Sequence, residues 1–209
     1  MPPQSALPDG LPVPARSRAM LVIILGLTVA VLDGSVVNLA LPGIAREMNA
    51  SAAHAIWVVN AYQMATLIML LPLASLGERL GYRRVYLLGL GLFALASVGA
   101  MLANSLGTLI AARAVQGLGA AGIMSVNAAL VRLIYPRAQL GRGMAINSMV
   151  VAISSVAGPT VAAMVLSVAS WPWLFALNLP LGAFTVWLGR RALPHNPVAA
   201  LGGRHSWLD

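Results

Sequence analysis

The feature that most narrows the possible folds is a series of six apolar stretches, each long enough to cross a lipid bilayer. An α-helix rises 1.5 Å per residue, so about 20 apolar residues span the hydrocarbon core. The stretches cover residues 19–41, 53–76, 85–103, 106–131, 143–169 and 171–189. Only 9% of the 209 residues are charged and 59% are hydrophobic, which leaves too little polar surface for a soluble globule. The sequence therefore predicts an all-α membrane protein with six transmembrane helices.

Turn and interface residues mark the ends of these stretches. Pro42 follows the first stretch and Pro136 follows the fourth, and proline favours the end of a helix. Gly77 and Gly81 break the chain after the second stretch. The turn at 171–173 carries two tryptophans, which prefer the membrane–water interface. Because the connections are short, we expect successive helices to run antiparallel.

The distribution of arginine predicts the orientation of the helices. All thirteen basic residues are arginine. If the N-terminus lies in the cytoplasm, eleven of them fall in cytoplasmic segments, Arg46 falls in an outer loop and Arg113 lies inside the fourth stretch. Cytoplasmic loops retain positive charge, so we expect a multi-pass protein of the cell (plasma or inner) membrane with both termini cytoplasmic. Residues 1–18 are predicted to be a disordered cytoplasmic tail, and residues 190–209 a cytoplasmic tail or a linker to a missing second half.

Two charged residues lie well inside the predicted helices, at the same depth. Asp33 precedes Pro42, at the outer end of the first helix, by nine residues, and Arg113 follows Ser105, at the outer start of the fourth, by eight. Both therefore lie about 12–14 Å below the outer surface, where they can pair. A charge at mid-bilayer costs roughly 2.5–3.5 kcal/mol, so such residues have a partner or a function.

Two interpretations of this pair stay open at the level of sequence. In the first, Asp33 and Arg113 form a buried ion pair that fixes the register of two helices and takes no part in turnover. In the second, a motion that separates them makes Asp33 take up a proton, because hydrocarbon disfavours an isolated carboxylate. In that case the pair couples protons to a conformational change.

Uncharged polar residues also occur at membrane depth. For each one taken alone, hydrogen bonding between helices is the simpler role. Taken together, they suggest a polar path for a substrate. The residues that we assign to this path are Asn38, Asn60, Gln63 and Gln116. Tyr62 suits ordinary packing and a cavity wall equally well.

Small residues are concentrated in the fourth and fifth stretches. Gly117 and Ala121 have the spacing that lets two membrane helices approach closely. Gly158 and Pro159 remove a Cβ atom and a backbone N–H at adjacent positions, which weakens a helix. Tight packing or a bend is the structural explanation of this pair, and a hinge in the fifth helix is the functional one.

Five segments of the chain carry distinctive residue patterns: Leu32–Pro42, Trp57–Gln63, Leu76–Arg84, Arg113–Ala121 and Trp171–Gly182. In this order and at this spacing they resemble the motifs of the major facilitator superfamily, and within it of the drug/proton antiporters with fourteen helices. The resemblance extends over about residues 19–209. It implies the N-terminal six-helix half of a major facilitator fold, built of two inverted three-helix repeats.

The resemblance also implies roles for particular residues. Asp33 and Arg113 would serve in proton coupling and in the response to substrate. The loop between the second and third helices would form a cytoplasmic gate that latches helices together. Its residues are Gly77, Glu78, Arg79, Gly81, Arg83 and Arg84.

The chain departs from the family pattern at two places. The gate loop has Ala74 and Glu78 where the family usually has glycine and aspartate, and the longer acid keeps the charge but moves it. In the fifth helix, the family places further glycines near the Gly-Pro pair. This chain has serine and alanine around Gly158 instead, and these residues are also small.

Together, these features predict a transmembrane transporter that exports small lipophilic or cationic compounds in exchange for protons by alternating access. Its partners would be a small-molecule substrate, the lipid bilayer, and a second six-helix half or a second copy of itself. We expect protons as the coupling ion and no cofactor or metal, since the three histidines lack metal spacing and cysteine is absent. Nucleic-acid binding is disfavoured because the arginines punctuate apolar runs instead of clustering on a soluble face.

Two alternatives to a working transporter stay open at the level of sequence. The chain could be a truncated half-transporter, or a membrane interaction module that transports nothing. A membrane-embedded enzyme is disfavoured, because beyond Asp33 the sequence places no second carboxylate, histidine or cysteine at membrane depth for catalysis.

Overall fold

The computed structural model describes residues 9–194, and no strand occurs within that range. Six helical segments in it are long and apolar enough to cross a membrane, with α2 and α3 together forming the second and α7 and α8 the sixth. The prediction of an all-α fold with six membrane-length segments is confirmed. The helices are α1 Val13–Glu47, α2 Ala52–Ala55, α3 Trp57–Leu80, α4 Tyr82–Met101, α5 Leu106–Ile134, α6 Leu140–Leu166, α7 Pro172–Ala176 and α8 Asn178–Ala192, with one 3-10 turn at Arg137–Gln139.

The first three spans and the last three occupy equivalent positions in the bundle. Helices α3 and α4 pack against α5, helices α6 and α8 pack against α1, and α4 packs against α8. In their most apolar parts, α1 and α5 are 56% and 61% buried, whereas the second and fifth spans are each only 17% buried. Exchanging the two triplets therefore preserves the packing pattern. Because the first and fourth spans of an antiparallel series run in opposite directions, this pattern is that of two inverted three-helix repeats.

The predicted disordered tail, residues 1–18, is wrong for its second half. Helix α1 begins at Val13. Pro14 fits the first turn of the helix, because the backbone N–H that proline lacks has no hydrogen-bond partner within the helix at that position. Before the helix, the backbone N–H of Leu11 donates to the carbonyl of Ile134 at 3.0 Å. This hydrogen bond connects the segment before α1 to the end of α5. Residues 1–8 lie outside the described range.

Helix α1 also continues through Pro42 to Glu47, so the expectation that this proline ends the first span is wrong. Pro72 and Pro159 likewise lie inside α3 and α6. A proline removes one backbone hydrogen bond, whereas ending a helix in hydrocarbon would leave several polar groups unpaired. The membrane environment therefore favours continuing the helix.

The remaining boundaries shift by a few residues from the predicted spans. Helix α4 begins at Tyr82 instead of residue 85, and α5 continues to Ile134 beyond residue 131. The fifth span occupies Leu140–Leu166, and α8 ends at Ala192, so residues 190–192 of the predicted C-terminal segment are helical. Residues 195–209 of that segment lie outside the described range. Hydropathy marks where a helix enters hydrocarbon, whereas helical hydrogen bonding extends beyond that boundary.

Glycine allows α4 and α5 to pack with their backbones in contact. A Cβ atom added at Gly89 would lie 2.8 Å from the carbonyl oxygen of Gly119 and 3.0 Å from the backbone of Gly122. Neither neighbour is a flexible side chain that could move aside. Close approach through small residues is how membrane helices gain packing energy, because hydrocarbon offers little hydrophobic driving force between them.

We expect Gly89→Ala to lower the free energy of unfolding by about 1–3 kcal/mol through overpacking. Gly91→Ala is the matched control, since Gly91 lies on the same helix and a Cβ atom added there meets nothing within 4 Å. Thermal unfolding in detergent micelles, followed by circular dichroism, measures the difference. Equal effects of the two substitutions would show that helix propensity, not the α4–α5 contact, controls stability here.

Candidate functional site

Asp33 and Arg113 form an ion pair between α1 and α5 in the interior of the bundle. The Nη1 atom of Arg113 donates to Oδ2 of Asp33, and both side chains are fully buried. The structure thus brings together the two residues whose equal depth in the sequence suggested a partnership. Each charge removes most of the cost of burying the other, which explains how both are held away from water.

Three further polar side chains surround the Asp33 carboxylate. Its Oδ1 atom accepts hydrogen bonds from Nδ2 of Asn178 at 2.6 Å and from Nε2 of Gln116 at 3.1 Å. Gln116 also donates to the hydroxyl of Ser97 at 2.8 Å. The carboxylate is therefore held by α5 and by the N-terminal residue of α8, with α4 supporting the donors.

Sequence analysis missed Asn178 and Ser97 as members of this cluster. Asn178 lies in one of the motif segments, and its signal was a polar residue beside Pro180 in an otherwise apolar run. Ser97 carries no signal, because a serine in a membrane helix commonly bonds to its own backbone. Its hydroxyl does so here, to the carbonyl of Phe93 at 2.8 Å.

The guanidinium of Arg113 donates through its Nε and Nη1 atoms and lies near two aromatic rings, whereas its buried Nη2 atom has no hydrogen-bond partner among the described residues. Its Nε atom donates to the carbonyl of Val58 at 3.2 Å, and its Nη1 atom also donates to Oε1 of Gln116 at 2.6 Å. The ring centroids of Tyr62 and Phe175 lie 4.2 and 5.6 Å from its central carbon. Aromatic faces stabilise a desolvated cation, so these rings replace part of the lost hydration.

An open cavity of about 410 Å³ lies beside this cluster, between α1, α3, α5 and α6. Asn38 and Gln63 line it, and the substrate path to which the sequence assigns them stays a prediction. Gln116 does not line it, because the three-residue spacing from Arg113 places both on the same buried face of α5. Asn60 is half-buried and also lies outside the cavity lining. Of the four predicted path residues, two therefore line the cavity, Gln116 belongs to the ion-pair cluster and Asn60 belongs to neither.

The wall of the cavity contains both polar and apolar side chains. Hydroxyl and amide groups lie among aliphatic and thioether side chains, and none of the described residues that line this cavity is charged. Such a surface suits a compound that is mainly apolar with a few hydrogen-bonding groups. Besides Asn38 and Gln63, the polar lining residues are Ser35, Tyr62, Thr66 and Ser155.

The predicted gate loop connects α3 to α4 in a tight turn. Gly81 adopts φ +99°, a backbone conformation that L side chains rarely adopt. A Cβ atom added at Gly77 would lie 2.6 Å from a methyl of Val126, so this glycine lets α3 approach α5. The guanidinium of Arg83 donates to the carbonyl of Arg190 near the end of α8.

The other charged groups of the gate loop point outward. Glu78, Arg79 and Arg84 are exposed. Within residues 9–194, Glu78 forms no ion pair. A latch through this carboxylate therefore stays a prediction, and it requires a partner outside the described residues.

The Gly-Pro pair of α6 contacts α1 closely. A Cβ atom added at Gly158 would overlap the hydroxyl of Ser35, so glycine is required for these two helices to pack. Helix α6 is continuous through Pro159. Close packing accounts for Gly158, and the hinge role of this pair stays a prediction.

The sequence pattern of the Major Facilitator Superfamily matches residues 23–207. The chain belongs to this superfamily. The resemblance to this superfamily, inferred from the five motif segments, is thereby confirmed. Among relatives within the superfamily, the chain is 55% identical over 188 residues to "Uncharacterized transporter YebQ" of Escherichia coli (strain K12), a match that covers 90% of this chain and 41% of that protein.

A second relative is named for drug resistance. The chain is 36% identical over 165 residues to "Multidrug resistance protein Stp" of Mycobacterium tuberculosis (strain CDC 1551 / Oshkosh), which covers 78% of this chain and 31% of that protein. The chain therefore spans less than half the length of these superfamily members.

A solved structure shares the fold of this superfamily chain. The crystal structure of the human organic anion transporter MFSD10 (TETRAN) superposes with a TM-score of 0.71 at 18% identity, covering 88% of this chain and 49% of that one. The six described spans therefore form half of a major facilitator fold. Superfamily members are transporters and not enzymes.

Proposed function

We propose that this chain forms the N-terminal half of a proton-coupled efflux transporter that moves small lipophilic or cationic compounds out of the cell. The observation that carries the proposal is the buried ion pair of Asp33 and Arg113, which joins the two central helices of the inverted repeats. A multidrug resistance protein among the relatives supports export as the direction of transport.

The ion pair can couple protons to motion because its stability depends on contact. While Asp33 touches Arg113, both remain charged at modest cost. If rocking of α1 against α5 separates them, the isolated carboxylate is strongly disfavoured in a low-dielectric interior, and protonation relieves that cost. Renewed contact releases the proton. One cycle of separation and contact therefore carries one proton.

The available driving force is adequate for such a cycle. Each charge that crosses a potential of 100 mV yields about 2.3 kcal/mol. Each unit of pH difference adds about 1.4 kcal/mol. With the N-terminus in the cytoplasm of a cell-membrane protein, inward proton flow would drive outward movement of a compound from the cavity beside Tyr62.

A second half would complete the transport pathway. The open cavity is lined in part by α3 and α6, which are mostly exposed, and major facilitator transporters bind substrate between two halves. We therefore propose that the substrate lies between this cavity and the facing surface of a second six-helix bundle.

The proposal is tested with ethidium flux in proteoliposomes. We expect the chain fused to the C-terminal half of the 55%-identical E. coli relative to move ethidium when a pH gradient is imposed, and a protonophore to abolish this movement. Liposomes without protein are the control. Flux equal to that control, or flux that survives collapse of the gradient, would contradict the proposal. Equal flux from the unfused chain would instead favour a half that pairs with itself.

A further inference from the structure

One side chain belongs both to the cavity and to the ion-pair cluster. Tyr62 lines the cavity, and the centroid of its ring lies 4.2 Å from the guanidinium carbon of Arg113. Resting on the proposed function, we propose that Tyr62 is the positioning residue through which a ligand in the cavity acts on the Asp33–Arg113 pair.

Tyr62 makes close contacts through its hydroxyl and through its backbone carbonyl. The hydroxyl donates to the carbonyl of Ala30 at 2.8 Å, and Ala30 lies one helical turn before Asp33 on α1. The backbone carbonyl of Tyr62 would overlap a Cβ atom added at Gly117, which lies one turn after Arg113 on α5. Tyr62 therefore contacts both helices that carry the ion pair.

Thr66 also connects α3 to α5 beside the cavity. Its hydroxyl lies 2.8 Å from the carbonyl of Tyr62 and 3.1 Å from that of Gly117, and it also lines the cavity. A ligand that enters the cavity therefore presses on one connected unit of α3 and α5. The part of that unit that lies against the ion pair is the Tyr62 ring.

Few groups near Asp33 can carry charge. Among the described residues, the charged or titratable side chains that face it are Arg113 from α5 and Tyr62 from α3. Helices α4, α5 and α8 add the uncharged groups of Ser97, Gln116 and Asn178, and α6 carries no titratable side chain after Arg142. The Tyr62 ring is therefore the group next to the pair that a ligand can reach from the cavity.

Displacing the Tyr62 ring changes the equilibrium between the contact and the separated states of the Asp33–Arg113 pair. A desolvated guanidinium is attracted to an aromatic face, and without that face it depends more on Asp33. In the separated state, in which Asp33 carries a proton, a ligand that turns the Tyr62 ring away thus favours renewed contact of Arg113 with the Asp33 carboxylate, and the carboxyl group releases its proton. Ligand binding and protonation then oppose each other, as exchange of a compound for protons requires.

The test measures ethidium affinity as a function of pH, by fluorescence, with the chain fused to the C-terminal half of the E. coli relative. We expect the unmodified protein to bind ethidium about tenfold more tightly near pH 8 than near pH 6. Tyr62→Leu should reduce this ratio to less than about twofold, and Tyr62→Phe, which keeps the ring, should retain most of it.

Tyr86 provides a matched control for the loss of a buried tyrosine. Its hydroxyl donates to the carbonyl of Val22 on α1 at 2.9 Å, and its ring lies against no arginine within residues 9–194. Tyr86→Leu and Tyr86→Phe should therefore leave the pH ratio unchanged.

Each outcome bears on a different part of the inference. An unmodified protein whose ethidium affinity is independent of pH would overturn the proposed proton coupling itself. A normal ratio in Tyr62→Leu would overturn only the role of Tyr62. A ratio lost in both the Tyr62→Leu and the Tyr86→Leu variants would assign the effect to general packing. A ratio lost in Tyr62→Phe would move the role from the ring to the hydroxyl, against the proposal.

Discussion

Replacing Asp33 with asparagine is expected to abolish ethidium transport driven by a pH gradient while the protein remains inserted in the membrane. An amide neither binds nor releases a proton at accessible pH, so contact with Arg113 no longer depends on the proton gradient. The amide has nearly the same shape as the carboxylate and can still accept from Asn178 and Gln116. Flux should fall to the level of liposomes without protein.

Glu47→Gln is the matched control for this loss of a carboxylate. Glu47 is exposed at the C-terminal end of the same helix, and it accepts a hydrogen bond from Trp171 Nε1 at 2.7 Å, which a glutamine can also accept. Transport by this variant should be unchanged. If the Asp33→Asn variant also keeps gradient-driven flux, Asp33 has a structural role only and the proposed coupling site is wrong.

The depth of the ion pair could be predicted from sequence because helix geometry is fixed. Counting residues from the outer ends placed Asp33 and Arg113 at one level, and the structure joins them. Depth alone does not give the direction in which a side chain points. For Gln116 that information was available, since it follows Arg113 by three residues and so shares its face. Its assignment to the substrate path overlooked this spacing.

Asn178 could not be placed from sequence for a different reason. The apolar run 171–189 reads as one helix, whereas the structure has two, α7 and α8, with Asn178 beginning the second. Leu177, between the two helices, keeps a helical backbone conformation, and the amide of Asn178 lies 2.6 Å from Asp33. Which side chains face Asn178 depends on how the other helices pack, to which hydropathy is insensitive.

The ends of the helices show the same limit. Hydropathy located all six spans, because the cost of unpaired backbone groups in hydrocarbon forces helix formation wherever an apolar run is long enough. It placed the start of α1 six residues late, because Val13 lies outside the apolar run. That end is stabilised by contacts between distant residues, such as Leu11 with Ile134, which a local pattern does not contain.

Replacing Arg113 with glutamine is expected to lower the free energy of unfolding by about 3–5 kcal/mol, because it leaves the buried Asp33 charge without a partner. Asp33 has no exposed surface through which water could compensate. Thermal unfolding in detergent micelles measures the loss. Arg79→Gln removes an exposed arginine at the end of α3 and should change stability by less than about 0.5 kcal/mol.

The double variant Asp33→Asn with Arg113→Gln separates the two interpretations of the pair. Two neutral amides can hydrogen-bond in place of the ions, so most of the lost stability should return. If the pair only fixes helix register, gradient-driven ethidium flux should return with it. If Asp33 carries the proton, as proposed here, a stable double variant should still transport nothing when only a pH gradient is imposed. Recovery of both properties together would rule out the coupling role and leave the ion pair as a structural element of the bundle.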